Sequence, residues 1–111
     1  MLSNQSRLIG GTIGVHTHQL MRNAAFPLGR IVVTIEAARV LPLNRIEEAV
    51  KRHGNGDWGI VSSADVCENN QNRRTGGQII SEYLQDGQRF FIRTDQRQPL
   101  TMVLLSSELL G

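Results

Sequence analysis

The stretch from Lys51 to Gly59 constrains the fold more than any other part of this sequence. Its nine residues, Lys-Arg-His-Gly-Asn-Gly-Asp-Trp-Gly, include three glycines and the only tryptophan of the chain. Glycine is favoured where a backbone turns sharply or takes a positive φ, so regular helix or strand is not expected here. A large aromatic ring in a tight loop normally packs against a core. The run therefore predicts a loop that Trp58 anchors.

Length and composition indicate one small globular domain. The chain has 111 residues, of which 40% are hydrophobic and 20% charged, and a chain of this size can bury its own core. The single cysteine, Cys67, excludes an internal disulfide and suits a reducing compartment. No stretch approaches the ~20 apolar residues of a membrane helix. No membrane association is expected, and the predicted location is the cytoplasm.

Capping signals predict up to three helices in the middle of the chain. Thr34, Asn44 and Ser62 each precede a helical pattern and can accept a hydrogen bond from its first N–H groups. Gly54 is placed to end the second helix in the left-handed conformation. The predicted helices cover about residues 35–41, 45–53 and 63–75.

Turn signals near the end of the chain predict an antiparallel meander. Asp86-Gly87 lies between two strand-like runs, which is a strong hairpin signal. The predicted strands cover about residues 79–84, 89–94 and 100–105. Such a sheet needs helices over one face to bury it. The predicted fold class is therefore α+β, with two or three short helices packed on a three-stranded antiparallel sheet.

The segment before Leu28 has a different character from the rest. Residues 1–27 show no sustained period and are rich in Gly, Asn, Gln, Ser and Thr, so they are predicted to be a poorly ordered N-terminal tail with a short strand near 8–15. Residues 28–111 are predicted to form a single α+β domain that opens with a short strand at 30–34.

The residues able to carry chemistry are few. His53 and Asp57 lie four apart across a glycine turn, and a histidine oriented by a carboxylate is the minimal acid–base unit. A helix-capping histidine and a turn-closing aspartate explain the same pattern, and this explanation is favoured. Neither these residues with Asp65 nor the pair His16 and His18 makes a recognised metal motif, and no phosphate-loop motif occurs. No catalytic residue, metal or cofactor is predicted.

Three sequence motifs resemble those of a known family. They are His-x-x-Gly-Asp-Trp-Gly over 53–59, Asp65-x-x-x-Asn69, and Gly-Gly-Gln-Ile-Ile-Ser over 76–81. From Leu28 onward, roughly three-quarters of the chain, the sequence resembles small uncharacterised bacterial proteins carried on plasmids, phages and other mobile elements. The resemblance implies a setting and no activity. Small accessory proteins in that setting often bind and block host defence machinery, such as CRISPR effectors or restriction enzymes.

The leading functional hypothesis is a non-enzymatic protein-binding module that acts as an inhibitor of a bacterial defence system, of the anti-CRISPR or anti-restriction type. A nucleic-acid-binding regulator that uses an arginine face is the first alternative, although a net charge of +2 is weak support. A small enzyme centred on His53 and Asp57 is the second. The sequence leaves the partner and the oligomeric state open. The predicted partner-binding residues are Asn55, Asp57, Trp58, Asp65, Asn69, Arg73 and Arg74.

Overall fold

The computed structural model describes residues 12–14 and 24–109. Its elements in chain order are β1 (Thr12–Gly14), β2 (Arg30–Thr34), α1 (Ile35–Val40), α2 (Leu43–Gly54), α3 (Ser63–Thr75), β3 (Gln78–Gln85), β4 (Gln88–Asp95), β5 (Leu100–Leu105) and a 3₁₀ turn (Ser106–Glu108). The predicted tail over 1–27 lies mostly outside the described residues. Within it, β1 pairs with β2, and Phe26 is buried.

The sheet is larger than predicted, and it is mixed. Strands β3, β4 and β5 form the predicted antiparallel meander, but the full strand order is β1-β2-β5-β4-β3. Strand β2 runs parallel to β5, with Ile31 opposite Thr101. The predicted α+β class is confirmed, but the sheet is not the predicted three-stranded, fully antiparallel one. The reason is that Ile31, Val32 and Val33 are all buried, which is typical of a strand covered on both faces.

Helices α1 and α2 pack on one face of the sheet and cover the main core, and α3 lies along β3 at the sheet edge. Along β4, Phe90 and Ile92 point toward the helices, since alternate side chains of a strand share a face. A smaller cluster of Val32, Met102 and Leu104 lies on the opposite face. The helix layer contributes Ala37, Leu41, Ile46, Ala49 and Val50, with Val66 of α3 partly buried against them.

Thr34 joins two distant parts of the chain. Its hydroxyl oxygen accepts from the backbone N–H of Ala37 at 3.1 Å, which confirms it as the cap of α1. The same hydroxyl donates to Oε1 of the buried Glu108 at 2.6 Å. That oxygen also accepts from the N–H of Leu105 at 2.8 Å. The C-terminal turn is thereby attached to the start of the first helix.

The ends of α2 differ from the prediction. Pro42, and not Asn44, occupies the N-cap position, and its carbonyl accepts from the N–H groups of Arg45 and Ile46. Gly54 remains helical, and Gly56 takes the left-handed φ of +86°. Close packing explains the glycine at position 54, because a Cβ there would lie 3.3 Å from the Cβ of Ala24.

The ends of α3 and the hairpin follow the prediction. The Ser62 hydroxyl accepts from the N–H of Asp65 at 3.2 Å, and Gly76 ends the helix with a φ of +86°. Strands β3 and β4 are joined by Asp86 and Gly87, whose φ angles are +51° and +80°. Positive φ at both central residues is the signature of a type I′ turn.

Replacing Gly87 with alanine should destabilise the protein by about 1–2 kcal/mol. The cost comes from the left-handed backbone that a Cβ disfavours, since a Cβ at Gly87 would meet no atom within 4 Å. The free energy of unfolding in urea would measure it. Asp86→Asn is the control, because asparagine tolerates the left-handed region. A Gly87→Ala protein as stable as the parent would contradict the turn assignment.

Candidate functional site

His53 lies inside a buried chain of polar groups. Its side chain is fully buried. The ring atom Nδ1 lies 2.5 Å from the Ser81 hydroxyl oxygen, and Nε2 lies 2.8 Å from that of Thr94. The Thr94 and Thr101 hydroxyls are 2.7 Å apart, and Thr101 donates to the carbonyl of Leu28 at 2.6 Å. One chain of hydrogen bonds thus links α2 to the strands β3, β4 and β5.

The far end of this chain determines the tautomer of His53. Because Thr101 donates to a carbonyl, which can only accept, its oxygen must accept from the Thr94 hydroxyl. The Thr94 oxygen must then accept from Nε2–H of His53. The remaining ring nitrogen, Nδ1, accepts from the Ser81 hydroxyl. In the neutral imidazole, every hydrogen of this chain therefore has one assigned place.

The burial of His53 has an electrostatic consequence. Desolvation lowers the pKa of its imidazole from 6.5 to about 3, because an apolar environment disfavours the charged form. The rings of Phe26 and Trp58 pack against the imidazole, with centroids 5.4 and 5.7 Å away. His53 has both ring nitrogens engaged in the fold, so neither is free for an acid–base step.

Asp57 belongs to a different network. It accepts two hydrogen bonds from Arg52, at 2.7 and 3.3 Å, and a third from the N–H of Gly59 at 3.2 Å. The Arg52 side chain holds the pKa of Asp57 below its usual value. The Arg52 guanidinium also lies 4.7 Å from the centre of the Tyr83 ring. The side chains of His53 and Asp57 therefore use different hydrogen-bonding partners.

Trp58 anchors the loop, as the composition of residues 51–59 predicts. The side chain is 4% exposed and packs against Phe26 and His53. The loop also bonds to the edge of β3, where the N–H of Glu82 donates to the carbonyl of Trp58 and that of Ile60 donates to the carbonyl of Glu82. Trp58 therefore faces the core, away from the surface where a partner would bind.

Asn69 is also occupied by the fold. It is 4% exposed. Its amide nitrogen donates to the carbonyl of Ile80 at 2.8 Å, and its amide oxygen accepts from the N–H of Ile80 at 3.1 Å. Asn72 donates similarly to the carbonyl of Gln78 at 2.7 Å. Two asparagines of α3 thus bond to the outer edge of β3, where another strand would otherwise pair.

Two of the exposed candidates, Arg73 and Arg74, line an open cleft between α3 and the segment before β2. The cleft has a volume of about 620 Å³, and we refer to it as the arginine cleft. Arg73 reaches the loop, since its Nη1 lies 3.3 Å from where a Cβ on Gly56 would be. The predicted helix and loop are therefore brought together here. The residues lining the arginine cleft are Ala25, Asn70, Arg73 and Arg74.

Of the seven predicted binding residues, Arg73 and Arg74 line this cleft and the other five do not. Ala25 and Asn70 were not predicted, because nothing in the sequence shows which turn of α3 faces the segment before β2. Asp65 lies in a second groove of about 140 Å³ together with Glu68 and Ile80. Asn55 is exposed beside the loop but does not line the arginine cleft.

Arg73 and Arg74 differ from several other arginines of the described chain. Four arginines form ion pairs within residues 24–109, and neither Arg73 nor Arg74 is among them. The wider arginine face, which would add Arg89, Arg93 and Arg97, is not continuous. Arg89 and Arg93 alternate with core residues of β4, so they point away from the helix layer. Arg73 and Arg74 of α3 therefore lie on a different surface from Arg89 and Arg93.

Neither a metal site nor a membrane span is found in the part of the chain that the structure describes. No cluster there has three or more His, Cys, Asp or Glu side chains placed to hold a metal ion, and no helix there is long and apolar enough to cross a membrane. His16 and His18 lie outside the described residues.

Comparison with known proteins found no matching family model, no matching curated protein and no matching solved structure.

Proposed function

We propose that this protein is a non-enzymatic binding protein and that the arginine cleft is its contact surface. The observation that carries the proposal is the pair Arg73 and Arg74. Both are exposed, both line an open cleft of about 620 Å³, and neither pairs with a carboxylate of residues 24–109. Arginine is among the residues that most often dominate protein interfaces.

Some polar residues bond within the fold while others are exposed in the arginine cleft, and this distribution supports binding over catalysis. His53 and Asp57, the only acid–base pair that the sequence suggested, are both engaged in hydrogen bonds within the fold. The groups that remain exposed in the cleft are donors and an amide, which recognise a partner without chemical change. The resemblance to mobile-element proteins supplies the proposed biological role, which is inhibition of a bacterial defence complex such as a CRISPR effector or a restriction enzyme.

The double substitution Arg73→Glu with Arg74→Glu should abolish inhibition while the protein stays folded. Phage plating efficiency would be measured on a panel of strains, each expressing one CRISPR or restriction system together with the protein. The parent should restore plating on at least one strain, and the double variant should not. The two reversals remove cations from the last turn of α3, which costs only about 0.3–1 kcal/mol each, and circular dichroism would confirm the fold.

A matched control separates the cleft from overall charge. Arg30→Glu with Arg97→Glu makes the same change in net charge at two exposed positions outside the cleft, so it should keep the activity of the parent. Equal activity of both double variants would contradict the assignment of the cleft. If the parent protein restores phage plating on none of the strains, the proposed inhibition of host defence is contradicted.

Nucleic acid is the second candidate ligand because exposed arginines also bind phosphate. Its signature is a retention of DNA or RNA that falls steeply as salt rises. A gel-shift series from 50 to 300 mM salt, with both double variants alongside the parent, would detect it.

A further inference from the structure

We infer that the arginine cleft takes an extended protein segment carrying carboxylates. This inference rests on the proposed function, because it names the chemistry of the ligand at the same surface. Three features of the described residues support it: the position of Asn70, the geometry of the two guanidinium groups, and the acidic side chains elsewhere on α3.

The side-chain amide of Asn70 has a donor and an acceptor that can both bond to a peptide backbone. The preceding residue, Asn69, already binds an extended strand through both its amide nitrogen and its amide oxygen, at 2.8 and 3.1 Å from the backbone of Ile80. Asn70 projects from the same turn of α3 into the arginine cleft with its amide exposed. A peptide unit has one donor and one acceptor and satisfies both ends of such an amide, whereas a phosphate can only accept.

The two arginines supply the charge selectivity. A guanidinium group presents its donors in a planar fork that matches a carboxylate with two parallel hydrogen bonds. Arg73 and Arg74 lie three and four residues after Asn70, which places all three on one side of a helix. An extended segment bonded to Asn70 would therefore have its acidic side chains within reach of both guanidinium groups.

The charge pattern of α3 disfavours a long polyanion. Asp65 and Glu68 are exposed in the first half of the helix. Asp65 precedes Arg73 by eight residues and Glu68 precedes it by five, which is about 12 Å and about 7.5 Å along the axis. Only the spacing to Asp65 exceeds the screening length of about 8 Å at physiological salt. A nucleic acid long enough to extend along α3 would pass both carboxylates, while a short acidic segment of a protein that ends at Asn70 would not reach Asp65.

Two random libraries would test this inference on the full chain. A phage-displayed library of random 12-residue peptides and a library of random 20-nucleotide single strands would be selected on the parent protein. Each would be counter-selected on the Arg73→Glu, Arg74→Glu protein, so that only ligands of the cleft are retained. The expected result is a peptide consensus with two or more Asp or Glu residues and no enriched oligonucleotide.

Single substitutions would then test the role of Asn70 against a selected peptide. Asn70→Asp removes the donor and adds one negative charge inside the cleft, so the Kd should rise at least tenfold. Gln71→Glu adds the same charge at an exposed position of α3 outside the cleft and should change the Kd less than threefold. Equal effects of the two variants would refute the backbone-reading role of Asn70.

The outcomes distinguish this inference from the proposed function. Ligands that depend on the cleft but are oligonucleotides, or peptides without acidic residues, would overturn the inference and leave the cleft as a binding surface. The absence of any cleft-dependent ligand from both libraries would overturn both.

Discussion

Replacing Trp58 with alanine is expected to lower the free energy of unfolding by about 3–5 kcal/mol, the usual cost of truncating a buried tryptophan. The ring is 4% exposed and packs against Phe26 and His53, with centroids 5.9 and 5.7 Å away. Its removal would open a cavity beside the buried imidazole. It would also release the loop backbone, which bonds to Glu82 on both sides of Gly59. Urea unfolding would measure the loss.

Trp58→Phe is the matched variant for this prediction. It keeps an aromatic ring in the core and fills part of the volume, so its cost should be clearly smaller than that of alanine. A Trp58→Ala protein that loses less than ~1 kcal/mol would show that the loop does not depend on the ring. Trp58 would then have to be reconsidered as a surface contact.

The second large effect is a loss of stability in mild acid, caused by His53. The imidazole has a pKa of about 3 in the folded protein and 6.5 as its ordinary value. Between those values the unfolded chain binds a proton that the folded protein does not. Stability is therefore full above pH 6.5 and falls by about 1.4 kcal/mol for each pH unit below it, a slope that persists until pH approaches 3.

His53→Gln isolates this contribution. Glutamine can keep one hydrogen bond of the chain and does not titrate, so the variant should be less stable than the parent at pH 7 but lose much less on acidification. Asp57, whose pKa is also lowered, destabilises both proteins in the same direction, and the difference between the two curves removes it. Parallel curves between pH 4 and 7 would mean that His53 is not buried as a neutral imidazole.

Local signals in the sequence predicted the elements whose causes are local. The hairpin follows from Asp86-Gly87, the start of α3 from the Ser62 cap, and the burial of Trp58 from a loop with no other large apolar group. Each depends on residues within a few positions of one another, where backbone preference and capping decide the outcome. These features are present in the structure.

The features that the sequence did not reveal depend on partners far apart in the chain. His53 bonds to Thr94, 41 positions away, and Thr101 bonds to the carbonyl of Leu28, 73 positions away. The parallel pairing of β2 with β5 is equally remote. Asn69 was predicted to contact a partner, and only the position of β3 shows that its amide is buried and bonded to the fold. Single-residue patterns carry no information about such pairings.

The central claim is that His53 serves the fold while Arg73 and Arg74 serve binding. The most direct test is a comparison of two variants, His53→Gln and Arg73→Glu with Arg74→Glu, in one set of assays. Stability and the Kd for a peptide selected on the cleft would be measured for both at pH 7. We expect the histidine variant to lose stability and keep binding, and the arginine variant to keep stability and lose binding at least tenfold. A folded histidine variant without binding, beside an arginine variant that binds normally, would contradict the claim and return His53 to the centre of the function.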